Sequence, residues 1–292
     1  MKYALLLILF ATLACHKSNR TSVVSPNGEP SGTSAGTPDH IFIVWFENKA
    51  FDQVIGNAAA PFINSLVSKG TLFTKSYALF HPSYPNYIAF FAGSNVAVNT
   101  DSCIAGAPLR AKTLYNSLHD AGVSFKWYSE GLPEAGSDTC KTGYYVERHN
   151  PTTIFSTVPA SVNVPLASIN LRDTTTFKDL PQVACITPNL MNDMHDGTVQ
   201  MGDTWLQTNF STLMDWCMKH NAVFVIYFDE DNMRTGNHIP VIMTGEHIKA
   251  AYQDTAYHDH YSFTKSLLRW HGADSTFTSN LANATTIQNI WK

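Results

Sequence analysis

The stretch His40-Ile-Phe-Ile-Val-Trp-Phe46, followed at once by Glu47-Asn48, decides the fold. It is an unbroken apolar run, β-branched and aromatic, with no polar residue on alternate positions, so it reads as a strand buried on both faces. Ala222-Val-Phe-Val-Ile-Tyr-Phe228 repeats the pattern and runs into Asp229-Glu230-Asp231-Asn232. Gln182-Val-Ala-Cys-Ile186 is a shorter copy, and Phe73–Leu79, Ser124–Ser129 and His238–Met243 read as further strands. Helical patterns lie between them. Pro61–Lys69 has proline in its first turn and Gly70 as its stop. Pro85–Phe91, Leu114–Ala121, the amphipathic Thr204–His220 and Tyr261–Trp270 follow. Strands alternating with helices specify an α/β fold, a mostly parallel central sheet with helices on both faces, and there is no internal repeat.

In such a sheet the ligand sits beyond the carboxyl ends of the strands. Those ends carry acids, amides and imidazoles: Glu47-Asn48, Asp229-Glu230, and after the Gln182–Ile186 run Asn192-Asp193-Met-His195-Asp196, with His238 just before another strand. Buried carboxylates placed together are costly unless a cation neutralises them. The expectation is therefore one or two divalent metal ions. Ser83, in His81-Pro-Ser83-Tyr-Pro-Asn86-Tyr87, precedes a short apolar helix. A helix N-terminus favours an anion, and a metal can activate a serine hydroxyl as nucleophile. The bland alternative is that Ser83 only caps the helix.

The chain has 292 residues, 44% hydrophobic and 14% charged, which excludes a disordered or fibrous protein. Its 19 Lys+Arg against 23 Asp+Glu give a net charge of −4, so no basic field draws it to nucleic acid. Residues 1–14 read as a signal peptide, with Lys2 ahead of a short apolar run. Ala14-Cys15 resembles a bacterial lipobox, so Cys15 is expected to carry lipid and hold an exported protein at the cell envelope with no spanning segment. Residues 15–38 then form a Pro-, Ser- and Thr-rich tether, and 39–292 one catalytic domain. Gly32-Thr-Ser34-Ala-Gly36 matches a nucleophile-elbow pattern but lacks the strand and helix that motif needs. Four further cysteines suggest two disulfides, Cys103–Cys140 and Cys185–Cys217, because each pair brackets one local segment.

Five segments in order, Trp45–Phe51, His81–Tyr87, Asn192–Asp196, Tyr227–Glu230 and His258–Ser262, resemble the phosphoesterase family of bacterial acid phosphatases and non-specific phospholipases C, within the alkaline-phosphatase-like superfamily. The resemblance runs from about His40 to Trp270. It implies a metal held by Glu47, Asn48, Asp229 and Glu230 and bridged by Ser83 as nucleophile, with Asn86 stabilising the transferring phosphoryl group. It also implies that Asp193, His195, Asp196 and His238 form a second metal site or a phosphate-binding and acid–base cluster. His81 and His149 are placed at the substrate pocket. Oxygen-rich ligands suit Ca²⁺, Mg²⁺ or Mn²⁺ better than Zn²⁺. The implied activity is phosphate-ester hydrolysis through a phosphoseryl intermediate, acting on a small phosphate ester. Diesterase or phospholipase C activity on the same fold, or a non-catalytic binding lipoprotein, are the alternatives.

Overall fold

A computed structural model of the chain describes residues 37–106 and 108–292. The leader, Cys15, the tether to residue 36 and the Gly32–Gly36 motif lie outside the described residues. The strands are β1 (His40–Phe46), β2 (Thr71–Phe73), β3 (Ser76–Tyr77), β4 (Phe125–Ser129), β5 (Lys141–Thr142), β6 (Tyr145–Val146), β7 (Asn163–Pro165), β8 (Val183–Thr187), β9 (Ala222–Phe228), β10 (Val241–Gly245), β11 (Tyr252–Asp254) and β12 (His258–Asp259). The α-helices are α1 (Phe51–Val54), α2 (Pro61–Val67), α3 (Ser83–Ala92), α4 (Leu114–Asp120), α5 (Val199–Cys217), α6 (His260–Trp270) and α7 (Ser279–Asn283).

Eight strands form the central sheet in the order β11-β2-β10-β9-β1-β8-β4-β7. β1 lies at its heart, parallel to β8 on one side and β9 on the other, with Val44 opposite both Ile186 and Ile226. β10 runs antiparallel to β9 and β2. All seven residues of β1 and of β9 are buried, which is why neither run alternates with polar residues. Side chains three apart on a strand face opposite ways. Phe224 of β9 accordingly packs on Phe210 of α5, and Tyr227 packs on Phe90 of α3 and Phe263 of α6. The helices thus cover both faces, α5 on one and α3 with α6 on the other.

This layering corrects one expected disulfide. Cys103 and Cys140 are bridged, but Cys185 and Cys217 are free and buried. The Cys185 thiol lies against the Trp45 indole, whose ring packs on Tyr87 and Phe90 of α3. Cys217 is on α5, across the sheet. Bracketing a segment in sequence does not bring two thiols together when the sheet stands between them, and Cα atoms must approach within about 7 Å to be bridged.

The parallel arrangement gathers the carboxyl ends of β1, β4, β8 and β9 at one edge, and the start of antiparallel β10 lies there too. At the opposite edge a cavity of about 480 Å³ opens among His40, Gln182, Trp216 and Asn221, holding none of the acids identified above.

Candidate active site

Ser83 is the first residue of α3, with Pro82 in the capping position. Its hydroxyl caps nothing. Oγ lies 2.9 Å from Glu47 Oε2, 3.1 Å from Glu230 Oε1 and 3.2 Å from Asn48 Oδ1, and donates its single hydrogen to one of these at a time. Glu47 and Asn48 come from the end of β1, and Asp229 and Glu230 from the end of adjacent β9. Asn48 adopts a left-handed backbone, φ 49°, a conformation that asparagine tolerates better than most residues, and its N–H donates to Asp229 Oδ1 at 3.1 Å. His260 fixes the other side of Asp229: its Nε2 donates to the Asp229 carbonyl at 2.7 Å and its Nδ1 meets the Tyr227 hydroxyl at 2.9 Å. Asp259 caps α6 through the Ser262 N–H, which sets His260 in place.

The five residues expected to hold a metal are therefore brought together, and all but Asn48 are buried, Ser83, Glu47 and Asp229 almost completely. Burial pushes the carboxyl of Glu47 well above the usual range, and the negative charges of Asp229 and Asp193 push it further. Burial raises Asp229 to about 7, against the hydrogen bond from the Asn48 N–H. Burial and the neighbouring Asp229 raise Glu230 to about 9. Lys49 does not relieve this charge by direct pairing, because its Nζ is bonded to the Met194 carbonyl at 2.8 Å.

A second group adjoins the first through Glu47. Glu47, His149 and Asp193 are buried and each places a ligand atom within 4.8 Å of the other two. His149 Nε2 is 3.4 Å from Glu47 Oε1, and His149 Nδ1 is 3.2 Å from Asp193 Oδ2. Neither contact is a hydrogen bond, and His149 Nε2, Asp193 Oδ2 and Asp229 Oδ2 are buried without a partner. Burial holds His149 well below its ordinary value, so the ring is a neutral donor of electron pairs. Orphaned acceptors facing one another in a water-poor space fit a divalent cation, which supplies the missing charge and ligation.

Other residues take different positions. His195 is on the rim, its N–H donating to Asp193 Oδ1 at 2.7 Å and its Nδ1 2.8 Å from Asp196 Oδ1. Asp196 is exposed and reaches the buried cluster only through His195. Asn86 does not direct its amide outward. Its Oδ1 accepts from the Leu79 and Phe80 N–H groups, and its Nδ2 donates to the Phe80 and Pro82 carbonyls, so it pins the loop that delivers Ser83. The placement of His238 in the second group is corrected. Its ring is stacked between Phe51 and Tyr77 and its Nε2 donates to the Thr74 carbonyl at 3.0 Å, so it knits the edge of the sheet together. Asn237, φ 65°, turns the chain just before His238, whose backbone bridges to Tyr77 ahead of β10.

Sequence reasoning ranked two groups too low and missed others. His149 belongs at the centre of the second group. His81 donates through Nδ1 to Glu230 Oε2, and its Nε2 lies 3.3 Å from Asp231 Oδ1. Tyr87 donates to Glu47, and Tyr84 donates to Glu147. The signal for the tyrosines was their i, i+3 spacing on the helix that opens at Ser83. Arg148, between Glu147 and His149, places Nη2 3.3 Å from Nε2 of the rim residue His195 and carried no spacing signal.

Residues 57–273 match the model of the phosphoesterase family. A phosphatidylinositol-3-phosphatase of Mycobacterium tuberculosis is 35% identical over 254 residues, 86% of this chain and 82% of that protein. A probable acid phosphatase of Kluyveromyces lactis is 30% identical over 276 residues, 85% of this chain but 64% of that protein, so the chain spans less than two thirds of the yeast relative. Among solved structures, a protein in the alkaline phosphatase superfamily from Vibrio parahaemolyticus superposes with a TM-score of 0.58 at 16% identity, over 82% of this chain and 68% of that one. The structural likeness speaks for the fold alone. The match across most of the described residues, with a relative at 35% identity over 82% of its length, places this chain in the phosphoesterase family.

Proposed function

We propose that the protein hydrolyses phosphate esters of phosphatase type through Ser83, with one or two divalent ions held at the strand ends. The family and fold make it a phosphoric ester hydrolase. The observation that carries the finer reading is the Ser83 hydroxyl, set at a helix N-terminus and ringed within 3.2 Å by Glu47, Asn48 and Glu230. Names of the relatives, a phosphatidylinositol-3-phosphatase and an acid phosphatase, favour removal of a terminal phosphate.

Glu47, Asn48, Asp229 and Glu230 would hold one ion beside Ser83, and Glu47, His149 and Asp193 a second. A divalent ion at such a position lowers the hydroxyl's pKa and offsets charge on the phosphoryl oxygens. The chain's own groups do the rest. Asn86 and the α3 N-terminus hold Oγ in line with phosphorus. Ser83 Oγ bonds to phosphorus as the ester P–O bond breaks; the hydroxyl proton passes to Glu47 or Glu230, whichever accepts it, and the leaving oxygen departs as the alcohol after taking up a proton in turn. Tyr87 and His81 keep Glu47 and Glu230 oriented. His195, steadied by Asp196, is the rim group placed to take a proton from the water that cleaves the phosphoseryl ester and releases phosphate. Export, lipidation at Cys15 and anchoring of residues 39–292 by the tether belong to the same proposal. Among the described residues no helix is long and apolar enough to cross a membrane.

The test uses p-nitrophenyl phosphate with the purified chain, before and after chelation, beside Ser83→Ala. Chelator-sensitive release that Ser83→Ala abolishes, with an acid-quenched adduct of one phosphoryl group on the Ser83 peptide by mass spectrometry, supports the mechanism. Full activity in folded Ser83→Ala overturns the serine reading.

A further inference from the structure

Arg148 is the central residue of a one-turn 3-10 segment whose neighbours, Glu147 and His149, are both buried and committed to the site. Its guanidinium is held in an unusual way. Nη2 lies 3.3 Å from His195 Nε2, and Nε lies 3.6 Å from Asp101 Oδ2. Arginine only donates, so the first contact requires a lone pair on His195 Nε2, and the 2.8 Å contact of Nδ1 with Asp196 Oδ1 places the ring hydrogen there. The second contact is too long for a hydrogen bond, and Arg148 Nε is buried with no acceptor. A permanent cation thus forms a long ion pair with Asp101 through Nε and turns Nη2 to an imidazole nitrogen, although guanidinium groups bond most strongly to anionic oxygens in pairs.

The restraints fix where it stands. Asp101 also accepts the Tyr84 N–H at 3.0 Å, in the first turn of the helix that begins with Ser83. Tyr84 and Thr153 both donate to Glu147 Oε1, which anchors the segment to the same helix. His149 carries the other end into the Glu47–Asp193 group. Arg148 is therefore held beside the first turn of α3 through Asp101 and Glu147, and next to His195 on the rim of the Glu47–Asp193 group. Lys49, the other cation near these acids, is spent on a backbone carbonyl.

We infer that Arg148 is the residue that reads the charge of the substrate, taking two oxygens of a dianionic phosphate monoester as it leaves His195 Nε2, and so selects monoesters over monoanionic diesters. This rests on the reading of the site as a phosphatase. A monoester offers three terminal oxygens and two negative charges to a fork-shaped donor. A diester offers fewer oxygens and half the charge, and its second ester group crowds the same space. Releasing Nε2 also uncovers the lone pair that the second chemical step requires.

The experiment compares the wild-type protein with Arg148→Gln and Arg148→Lys on p-nitrophenyl phosphate and bis-p-nitrophenyl phosphate, and measures binding of inorganic phosphate by calorimetry to metal-supplemented Ser83→Ala with and without Arg148→Gln. The expected result is a fall in the monoester-to-diester ratio of kcat/KM by at least about tenfold, and a phosphate Kd raised by at least about tenfold. Arg148→Lys should recover part of the phosphate affinity and little of the ratio, because an ammonium cannot grip two oxygens. An equal loss on both esters, an unchanged phosphate Kd, or a wild-type preference for the diester overturns the inference. None of these outcomes touches the serine reading, which fails only on the activity of Ser83→Ala alone.

Discussion

Asp229, Glu230 and Asp231 are consecutive and buried, yet their electrostatic fates are opposite. Asp229 accepts from the Asn48 N–H and leaves Oδ2 without a hydrogen bond; Glu230 meets Ser83 and His81. Burial lifts both well above the carboxylate range. Asp231 is buried too, which alone would raise it. Hydrogen bonds from the Thr235 hydroxyl and from the N–H groups of Thr235, Met233 and Asn237 outweigh that cost and hold it below its ordinary value. One loop thus contains an acid held charged by several donors and two acids that burial pushes towards the neutral form, of which Asp229 leaves Oδ2 without a partner. What separates them is the supply of donors, because a carboxylate with several N–H partners keeps its charge at no cost to the fold.

Four measurements break or sharpen that comparison. The largest effect is on catalysis. Asp229→Asn should lower kcat/KM at least about a thousandfold, since a metal site contributes several kcal/mol. The same variant should melt higher than wild type after chelation at pH 8, because it removes a buried uncompensated charge. A lower melting temperature would assign Asp229 to structure. Next, saturating divalent ion should raise the wild-type melting temperature by several degrees, consistent with roughly 3 kcal/mol at a hundred times Kd, and should move Asp229→Asn far less. Equal shifts in the two proteins would place the ion elsewhere. Asp231→Asn should behave in reverse, losing about 1–3 kcal/mol of stability by denaturant titration whether or not metal is present. Metal-dependent destabilisation would instead make Asp231 part of the ion site.

The smallest effect lies far from the site and isolates the cost of burial without donors. Both ring nitrogens of His271 are buried and unpartnered, and burial depresses its pKa to about 4. The folded state therefore binds fewer protons than the unfolded chain between the ordinary value near 6.5 and about 4. Stability is fully present above about 6.5 and declines as pH falls through that window, by at most roughly 3 kcal/mol. His271→Gln should flatten this part of the stability profile. An unchanged acid limb would show that other groups set it.

The strands were legible because a doubly buried strand has no polar alternation to hide it, and Ala222–Phe228 keeps the same bounds in sequence and structure. The gathering of Glu47, Asn48, Ser83, Asp229 and Glu230 was legible for a related reason, since parallel strands bring their ends to one edge whatever their order. What failed required knowledge across the sheet. His238 and His149 look alike in sequence, one beside a strand and one in a loop, and only packing turned the first towards Phe51 and Tyr77 and the second towards Glu47 and Asp193. Arg148 offered no periodicity at all, because it sits in a single 3-10 turn.

By itself, then, the sequence determined the parallel core, the edge at which chemistry gathers and the acids that stand there, all of which follow from local hydrophobic pattern and chain direction. The tertiary structure alone decided that Asp231 is satisfied and Asp229 is not, that Cys185 and Cys217 lie on opposite sides of the sheet, and that His149, not His238, completes the second group. Those outcomes depend on which donors and rings arrive from segments distant along the chain, and no local pattern encodes that arrival.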